Sequence, residues 1–362
     1  MIRFFVFGAA LAVSVCAAAV PAATEVGLSE TEMRQIYEQV KTPYKHGIVL
    51  APEEGHLVDN ANVFRQGDKW YMIYIDFDGK GYETRLAESD DLLGWRRRGV
   101  VLPRGKAGEW DASQADGWPI LLEPEFDGPN TLGMFEGRYW MMYLGGALNG
   151  YETDPLSEGV AWTDDPAKAK PWTRYERNPV LSPSDPDARP FERKTIYKSF
   201  VVQDPSRRLG GRFVSYYNAK QKGKWVERIG MAVSDDLRTW KRFGSEPCIA
   251  NTGELDNGIC GDPMVRRIGG TYVMFFFGYN WSGRPGARAF DTFAASKDLV
   301  HWTRWNGPNL VEPSEPWDRD HAHKPWVIKH DGVVYHFYCA VGSRGRAIAV
   351  ATSVPVRSSG MQ

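Results

Sequence analysis

Cysteine is scarce in this chain, with four in 362 residues. Cys16 lies in the leading segment, and Cys248, Cys260 and Cys339 follow far behind it. Three remaining thiols allow one disulfide at most, so no disulfide framework can hold the fold together. Net charge is equally scarce. The 44 Lys and Arg balance the 45 Asp and Glu to a net −1, which gives no electrostatic basis for binding nucleic acid or an anionic membrane. The tight basic run Arg96-Arg97-Arg98 reads as a solvated strand edge.

Long apolar runs are missing except at the start. There, Arg3 precedes an apolar stretch from Phe4 to about Val20, followed by the small residues Ala22 and Ala23. This reads as a secretory signal peptide over residues 1–23, too short and too rich in small residues for a membrane span. Val15 before Cys16 argues against a lipoprotein anchor. The expected location is periplasmic or secreted, with no membrane attachment once the signal is removed.

What the chain has in abundance is an internal repeat. LAESDDLLGW (Leu86 to Trp95) returns as MAVSDDLRTW (Met231 to Trp240) and FAASKDLVHW (Phe293 to Trp302), with weaker copies in GVAWTDDP from Gly159 and IAVATS from Ile348. Before each copy lies an aromatic-rich strand pattern: KWYMIYIDF, RYWMMYLGG, RFVSYYNAK, TYVMFFFGY and VVYHFYCAV. Each unit is a four-stranded meander of roughly 60 to 70 residues, and sheets repeated radially protect their edges as a propeller. The fifth unit lacks its last strand, and YKHGIVLAP (Tyr44 to Pro52) matches what is missing. The chain is therefore expected to be an all-β, five-bladed β-propeller over residues 44–356, closed by its N-terminal strand. Residues 24–43 form a helical extension, with Ser29 and Glu32 as capping box and Leu28 with Met33 as hydrophobic staple. The helix is expected to pack outside the propeller or to make a homodimer contact with a second subunit.

The repeated Ser-Asp-Asp-Leu motif reads as scaffold, because Ser and Asp side chains bond local backbone N–H groups and hold turns. A catalytic group is needed once. Chemistry should sit where the repeats differ, at the starts of the innermost strands. Aligning NVFRQGDKWYMIY with WVIKHDGVVYHFY sets Asp59 opposite His323, and the same offset lands on Gly128, Tyr197 and Cys260, with Asp262 two residues beyond. The expected axial ring is Asp59, Asp262 and His323, with Lys198 and His321 nearby. Charged groups gathered in an apolar tunnel have their pKa values pushed apart, as acid and base catalysis need. GYE occurs at both Gly81 to Glu83 and Gly150 to Glu152, and as a repeat it reads as structural.

These features resemble the five-bladed propeller glycoside hydrolases of families 43, 32 and 130, and most of all family 117. The likeness spans nearly the whole mature chain through VDNANVF, GYETRLAESDDLLGW, RIGMAVSDDL, GDPMV and DHAHKPWVIKHDGVVYHFY. It implies removal of a terminal sugar such as 3,6-anhydro-L-galactose from an oligosaccharide, with Asp59 as base, Asp262 as supporting aspartate and His323 as acid. Family 43 would instead use a Glu as acid, for which Glu125 and Glu227 are available. Inversion would set base and acid about 6.5–9.5 Å apart.

The expected substrate-binding set is Glu125, Lys198, Glu227, His321 and Lys324, with Trp118 and Trp281 as stacking surfaces in long loops. No Cys or His spacing assigns a metal, so no cofactor is expected, with a structural divalent cation near the axis left open. Two rivals remain at this stage. One is a family 130 phosphorylase, with phosphate held by Lys198, Arg228, Arg284 and Lys324. The other is a non-catalytic carbohydrate-binding propeller.

Overall fold

The structure is a computed structural model that describes residues 27–223, 225–250, 258–279 and 288–357. The signal-peptide reading of residues 1–23 and the sugar-stacking role expected of Trp281 lie outside the described residues. Helix α1 (Glu30–Val40) is capped as its sequence requires: Glu32 N–H donates to Ser29 Oγ at 3.3 Å, and Ser29 N–H donates back to Glu32 Oε2 at 2.7 Å. Its apolar residues Met33, Ile36 and Val40 are buried, Tyr37 stacks on Trp305 at 5.0 Å, and Glu32 pairs with Lys297 at 2.9 Å. The helix thus lies against the outside of the propeller.

Strand β1 (Tyr44–Leu50) comes next, and four meanders follow it. They are β2 (Leu57–Gln66) to β5 (Trp95–Leu102) through β3 (Lys69–Phe77) and β4 (Tyr82–Ser89); β6 (Gln114–Pro119) to β9 (Thr173–Arg174) through β7 (Tyr139–Gly146) and β8 (Ser157–Thr163); β10 (Thr195–Gln203) to β13 (Trp240–Phe243) through β11 (Phe213–Lys220) and β12 (Glu227–Ser234); and β14 (Ile259–Ile268) to β17 (Thr303–Arg304) through β15 (Thr271–Tyr279) and β16 (Phe290–Ser296). The last sheet runs β18 (His321–His330), β19 (Val333–Gly342) and β20 (Gly345–Thr352), and β1 pairs antiparallel with β20 to give the order β1-β20-β19-β18. The N-terminal strand closes the ring.

The repeated motif is scaffold. Ser89 Oγ accepts from Asp91 N–H at 3.2 Å and Leu92 N–H at 2.9 Å, Asp91 Oδ1 accepts from Gly94 N–H at 2.8 Å, and Trp95 Nε1 donates to Leu92 O at 3.0 Å. The same set recurs around Ser234, Asp236 and Trp240. Each turn holds a leucine at positive φ, Leu92, Leu237 and Leu299, and the Ser and Asp side chains hold that strained conformation in place. The second strand of each blade is buried on both faces, since blades stack face to face, so β3, β11 and β15 read as nearly continuous apolar and aromatic runs.

Blade 2 departs from the sequence register. Its inner strand is β6, so Asp116 faces the axis rather than Gly128. The intervening residues 120–138 run under the propeller, where Arg65 N–H donates to Asn130 O at 2.8 Å, Phe126 N–H to Arg267 O at 2.9 Å, and Asn130 Nδ2 to Lys329 O at 2.9 Å. This segment ties blades 1, 4 and 5 together at the end of the axis where their inner strands finish.

Candidate active site

Four inner strands carry a β-bulge at the same place, between Asp59 and Asn62, Tyr197 and Phe200, Gly261 and Met264, and His323 and Trp326. The register that set Asp59 opposite Tyr197 and His323 is the one observed, and in blade 4 it falls on Gly261, one residue past Cys260. The residue after each of these positions, Asn60, Lys198, Asp262 and Lys324, has φ between 50° and 65°. Bulges re-aim side chains, and left-handed non-glycine residues cluster at functional sites. Here they crowd polar groups around one end of the axis.

Two layers result. The lower one is a buried ion cluster. Asp59 Oδ2 accepts from Tyr151 Oη at 2.5 Å, Lys324 Nζ at 2.7 Å and Arg346 at 3.0 Å, while Asp59 Oδ1 accepts from Asn60 N–H at 2.7 Å. Lys198 pairs with Asp116, which also accepts from Asn60 Nδ2 at 3.3 Å. Burial alone would raise the Asp59 carboxyl, but Lys324, Arg346 and Lys198 reverse this and hold it well below the usual carboxylate range.

Above the cluster opens a cavity of about 250 Å³ whose wall carries three carboxylates, Glu152, Glu227 and Asp262. Asp59, 1% exposed, is not part of that wall. Glu227 Oε2 accepts from Tyr197 Oη at 2.5 Å and Oε1 from Trp225 Nε1 at 2.7 Å. Burial raises its pKa, and the charge of Glu152 adds to the rise. For Glu152 the burial penalty is outweighed by Lys324, Lys198 and Lys220, and its pKa is lowered. Asp262 is pushed up to about 7, by burial first. Its backbone N–H donates to Asn218 Oδ1 at 2.7 Å, and its Oδ2 makes no hydrogen bond among the described residues.

His323 lines the same cavity. Its Nδ1 lies 3.2 Å from Cys339 O, and its Nε2 lies 3.3 Å from an Arg346 nitrogen that can only donate. That arrangement fixes a neutral ring with the proton on Nδ1. Burial and Arg346 both drive its pKa well below the ordinary value. A histidine acid needs its imidazolium stabilised, and the groups around this ring do the opposite. His321 also lines the cavity, with Tyr279 against its ring at 5.2 Å.

The other expected ligands are distributed unevenly. Lys324 is on the cavity wall, whereas Lys198 lies beneath it beside a void of about 20 Å³. Trp118 belongs to strand β6 rather than a loop and is 3% exposed next to that void, so it offers no open face to a sugar. Glu125 pairs with Arg267 at the closed end of the axis, because it lies in the 120–138 segment rather than on an inner strand.

Glu152 and Trp225 escaped the sequence reading. The first GYE is structural, with Tyr82 fully buried and Glu83 in strand β4 beside Arg104. The second is not: Tyr151 and Glu152 leave the sheet in a segment held by Gln114 Nε2, which donates to Gly150 O at 2.6 Å, and both line the cavity. Trp225 is 53% exposed and presents a broad aromatic surface on the cavity wall. Among the described residues no group of three or more His, Cys, Asp or Glu is placed to hold a metal ion.

No family model matches the chain. A 1,2-beta-oligomannan phosphorylase of Thermoanaerobacter sp. (strain X514) is 29% identical over 152 residues, which is 39% of this chain and 46% of that protein. The chain spans about half the length of the curated relatives it matches. Two solved structures match far more: a BT0996 RGII complex, 45% identical with a TM-score of 0.86, and a glycoside hydrolase, 44% identical with the same TM-score. Each alignment covers 92% of this chain and 98% of the matched protein. Joined to that glycoside hydrolase by nearly half its residues over almost its full length, and carrying three carboxylates on one axial cavity, the chain belongs to the same family of carbohydrate-active propellers.

Proposed function

We propose that the chain is an exo-acting glycoside hydrolase that takes one terminal sugar into the axial cavity, with Glu227 as acid and Glu152 as the ionised carboxylate. The observation that carries this reading is the opposite displacement of two carboxyl groups on one cavity wall: Glu227 is raised by burial, with the charge of Glu152 adding to the rise, and Glu152 is lowered by Lys324, Lys198 and Lys220 against its burial. Glycoside hydrolysis needs one carboxyl protonated to release the leaving oxygen and one ionised on the other side of the reaction. Glu227 keeps its proton to higher pH than an ordinary glutamate, and Glu152 loses its own earlier.

Exo action follows from the blind end. Beneath the cavity the axis is filled by the Asp59 and Asp116 ion cluster, and further down by the 120–138 segment. A chain end can enter such a site, but an internal stretch of polysaccharide cannot pass through. The cavity of about 250 Å³ is also smaller than the ~300–1,000 Å³ of pockets for drug-sized ligands. Trp225 supplies the flat apolar surface on which the C–H face of a sugar stacks, with its indole N–H bound to the acid. Phosphorolysis would need cations for phosphate, whereas among the described residues Lys324 is paired with Asp59 and Glu152, and Arg346 with Asp59. With the signal peptide expected at residues 1–23, the working site is the periplasm or the exterior.

The substrate class to try first is RGII, named in the complex of the 45% identical neighbour. Anhydro-galactose-terminated, galactoside and arabinofuranoside oligosaccharides complete the panel. Incubation with and without inorganic phosphate, with products identified by NMR, should yield a free terminal sugar at a rate phosphate does not change. A sugar phosphate would establish the phosphorylase, and binding without turnover would establish the non-catalytic propeller. The anomer first released tells whether Glu152 attacks the sugar or activates water.

A further inference from the structure

We infer that Asp59 is a positioning residue: walled off from the cavity, its carboxylate gathers Tyr151, Lys324 and Arg346 and through them holds Glu152 in place. This rests on the hydrolase reading above, with Glu152 as the ionised carboxylate.

A general base must come within about 2.6–3.2 Å of the proton it takes. Asp59 is 1% exposed and does not line the cavity. Its Oδ2 already accepts three charged or phenolic donors, and its Oδ1 a backbone N–H. A carboxylate offers about four acceptor sites in total. Three donors saturate Oδ2, and Oδ1, which holds the Asn60 N–H, is buried away from the cavity, so neither oxygen is presented to a substrate water.

The donors come from three parts of the ring. Tyr151 follows β7 of blade 2, Lys324 belongs to β18 and Arg346 to β20 of blade 5, while Asp59 itself sits on β2 of blade 1. His323 and Cys339 complete the surroundings of Arg346, and Asp116 with Lys198 closes the other side through Asn60. Glu152 is bonded in sequence to Tyr151, has a left-handed backbone at φ 52°, and lies 3.7 Å from Lys324 Nζ. It belongs to no strand, so its place is set by what anchors Tyr151 from below and Lys324 from the side. Asp59 anchors both.

The test compares four variants by kcat, KM, pH profile and rescue by sodium azide, which can replace a missing carboxylate only where there is access to the reacting carbon. Asp59→Asn should lower kcat about 100-fold, the scale of a reacting group displaced by about 1 Å. KM should change less, and the acidic limb should move to lower pH, because a negative neighbour of Glu152 is lost. Tyr151→Phe, which removes one hydroxyl and leaves the fold intact, should lower kcat about tenfold with the same small effect on KM. Azide should restore turnover in Glu152→Ala and leave Asp59→Ala unrescued.

Azide rescue of Asp59→Ala would overturn the inference while leaving the hydrolase reading standing, since Asp59 would then act on substrate. So would a Tyr151→Phe protein with kcat within twofold of wild type. Unaltered turnover in Glu152→Ala would bring down the underlying reading together with the inference.

Discussion

The phenol of Tyr197 donates to Glu227 Oε2 at 2.5 Å, and this contact favours the ionised form of a carboxyl whose pKa burial raises. Tyr197→Phe should therefore raise the Glu227 pKa further. The alkaline limb of kcat/KM moves to higher pH in that variant, measured with a neutral oligosaccharide substrate. A limb that moves to lower pH would show that another group controls it.

The pH dependence of the wild type follows from two opposite displacements. In the proposed reaction, activity needs Glu152 ionised and Glu227 protonated. Glu152 is lowered, so activity is present above its depressed pKa and fades as pH falls through it. Glu227 is raised, so activity is lost as pH rises through its elevated pKa. A bell-shaped profile results, wider on both sides than two ordinary glutamates would allow. Asp262, whose pKa burial pushes up to about 7, adds a negative charge to the same wall on the alkaline side. Profiles of kcat/KM from pH 3 to 10 check this, and a rate independent of pH across that range would contradict it.

Trp225 separates binding from chemistry. Trp225→Phe keeps an aromatic face but removes the N–H that reaches Glu227 at 2.7 Å, whereas Trp225→Ala removes both. Loss of stacking is worth about 0.5–1.5 kcal/mol, so the alanine variant should raise KM about 2- to 13-fold, and the phenylalanine variant should mainly change the alkaline pKa. Equal KM for both variants and wild type would remove Trp225 from the substrate site.

Glu125 offers the opposite control. Its pairing with Arg267 is half-exposed at the closed end of the axis, and exposed ion pairs contribute about 0–1 kcal/mol. Glu125→Ala should keep kcat/KM within about twofold of wild type and lose at most that much stability. A large fall in turnover would restore the substrate-binding role that its sequence position suggested.

The turn motif makes a separate prediction about stability. Ser89 is fully buried, and its hydroxyl holds the N–H groups of Asp91 and Leu92. Ser89→Ala should cost about 1–2 kcal/mol in denaturant unfolding with kcat unchanged. In the blade 4 copy, Asp298 is lowered to about 2, by its bonds to His301 and the turn N–H groups against the effect of burial. Its contribution is present above the unfolded carboxylate pKa and is lost as pH falls toward 2.

Much of this architecture was legible because its causes are local and repeated. The Ser-Asp turn bonds to its own backbone, so three full copies and two weaker ones marked the repeating units, and the pairing of β1 with β20 supplied the missing strand. The register of Asp59 with His323 survived because both lie before the same bulge. Blade 2 was misread because residues 120–138 form an excursion with no repeat counterpart, which displaced Asp116 from the counting and brought Glu125 into it. Glu152 was hidden for a different reason. Its GYE is identical in sequence to a structural one, and the segment that carries it away from the sheet is anchored by long-range bonds to Gln114 and Asp59. Such contacts leave no periodic trace in the chain.

We propose that Glu227 and Glu152, rather than Asp59 and His323, perform the chemistry. The most direct test is kcat/KM of Glu227→Gln and Glu152→Gln beside His323→Gln, on one oligosaccharide whose released sugar is quantified. The two glutamate variants should fall at least about 10²–10⁴-fold, the range of a lost acid or base, while His323→Gln falls less. Glutamate variants within tenfold of wild type, with His323→Gln inactive, would contradict the account.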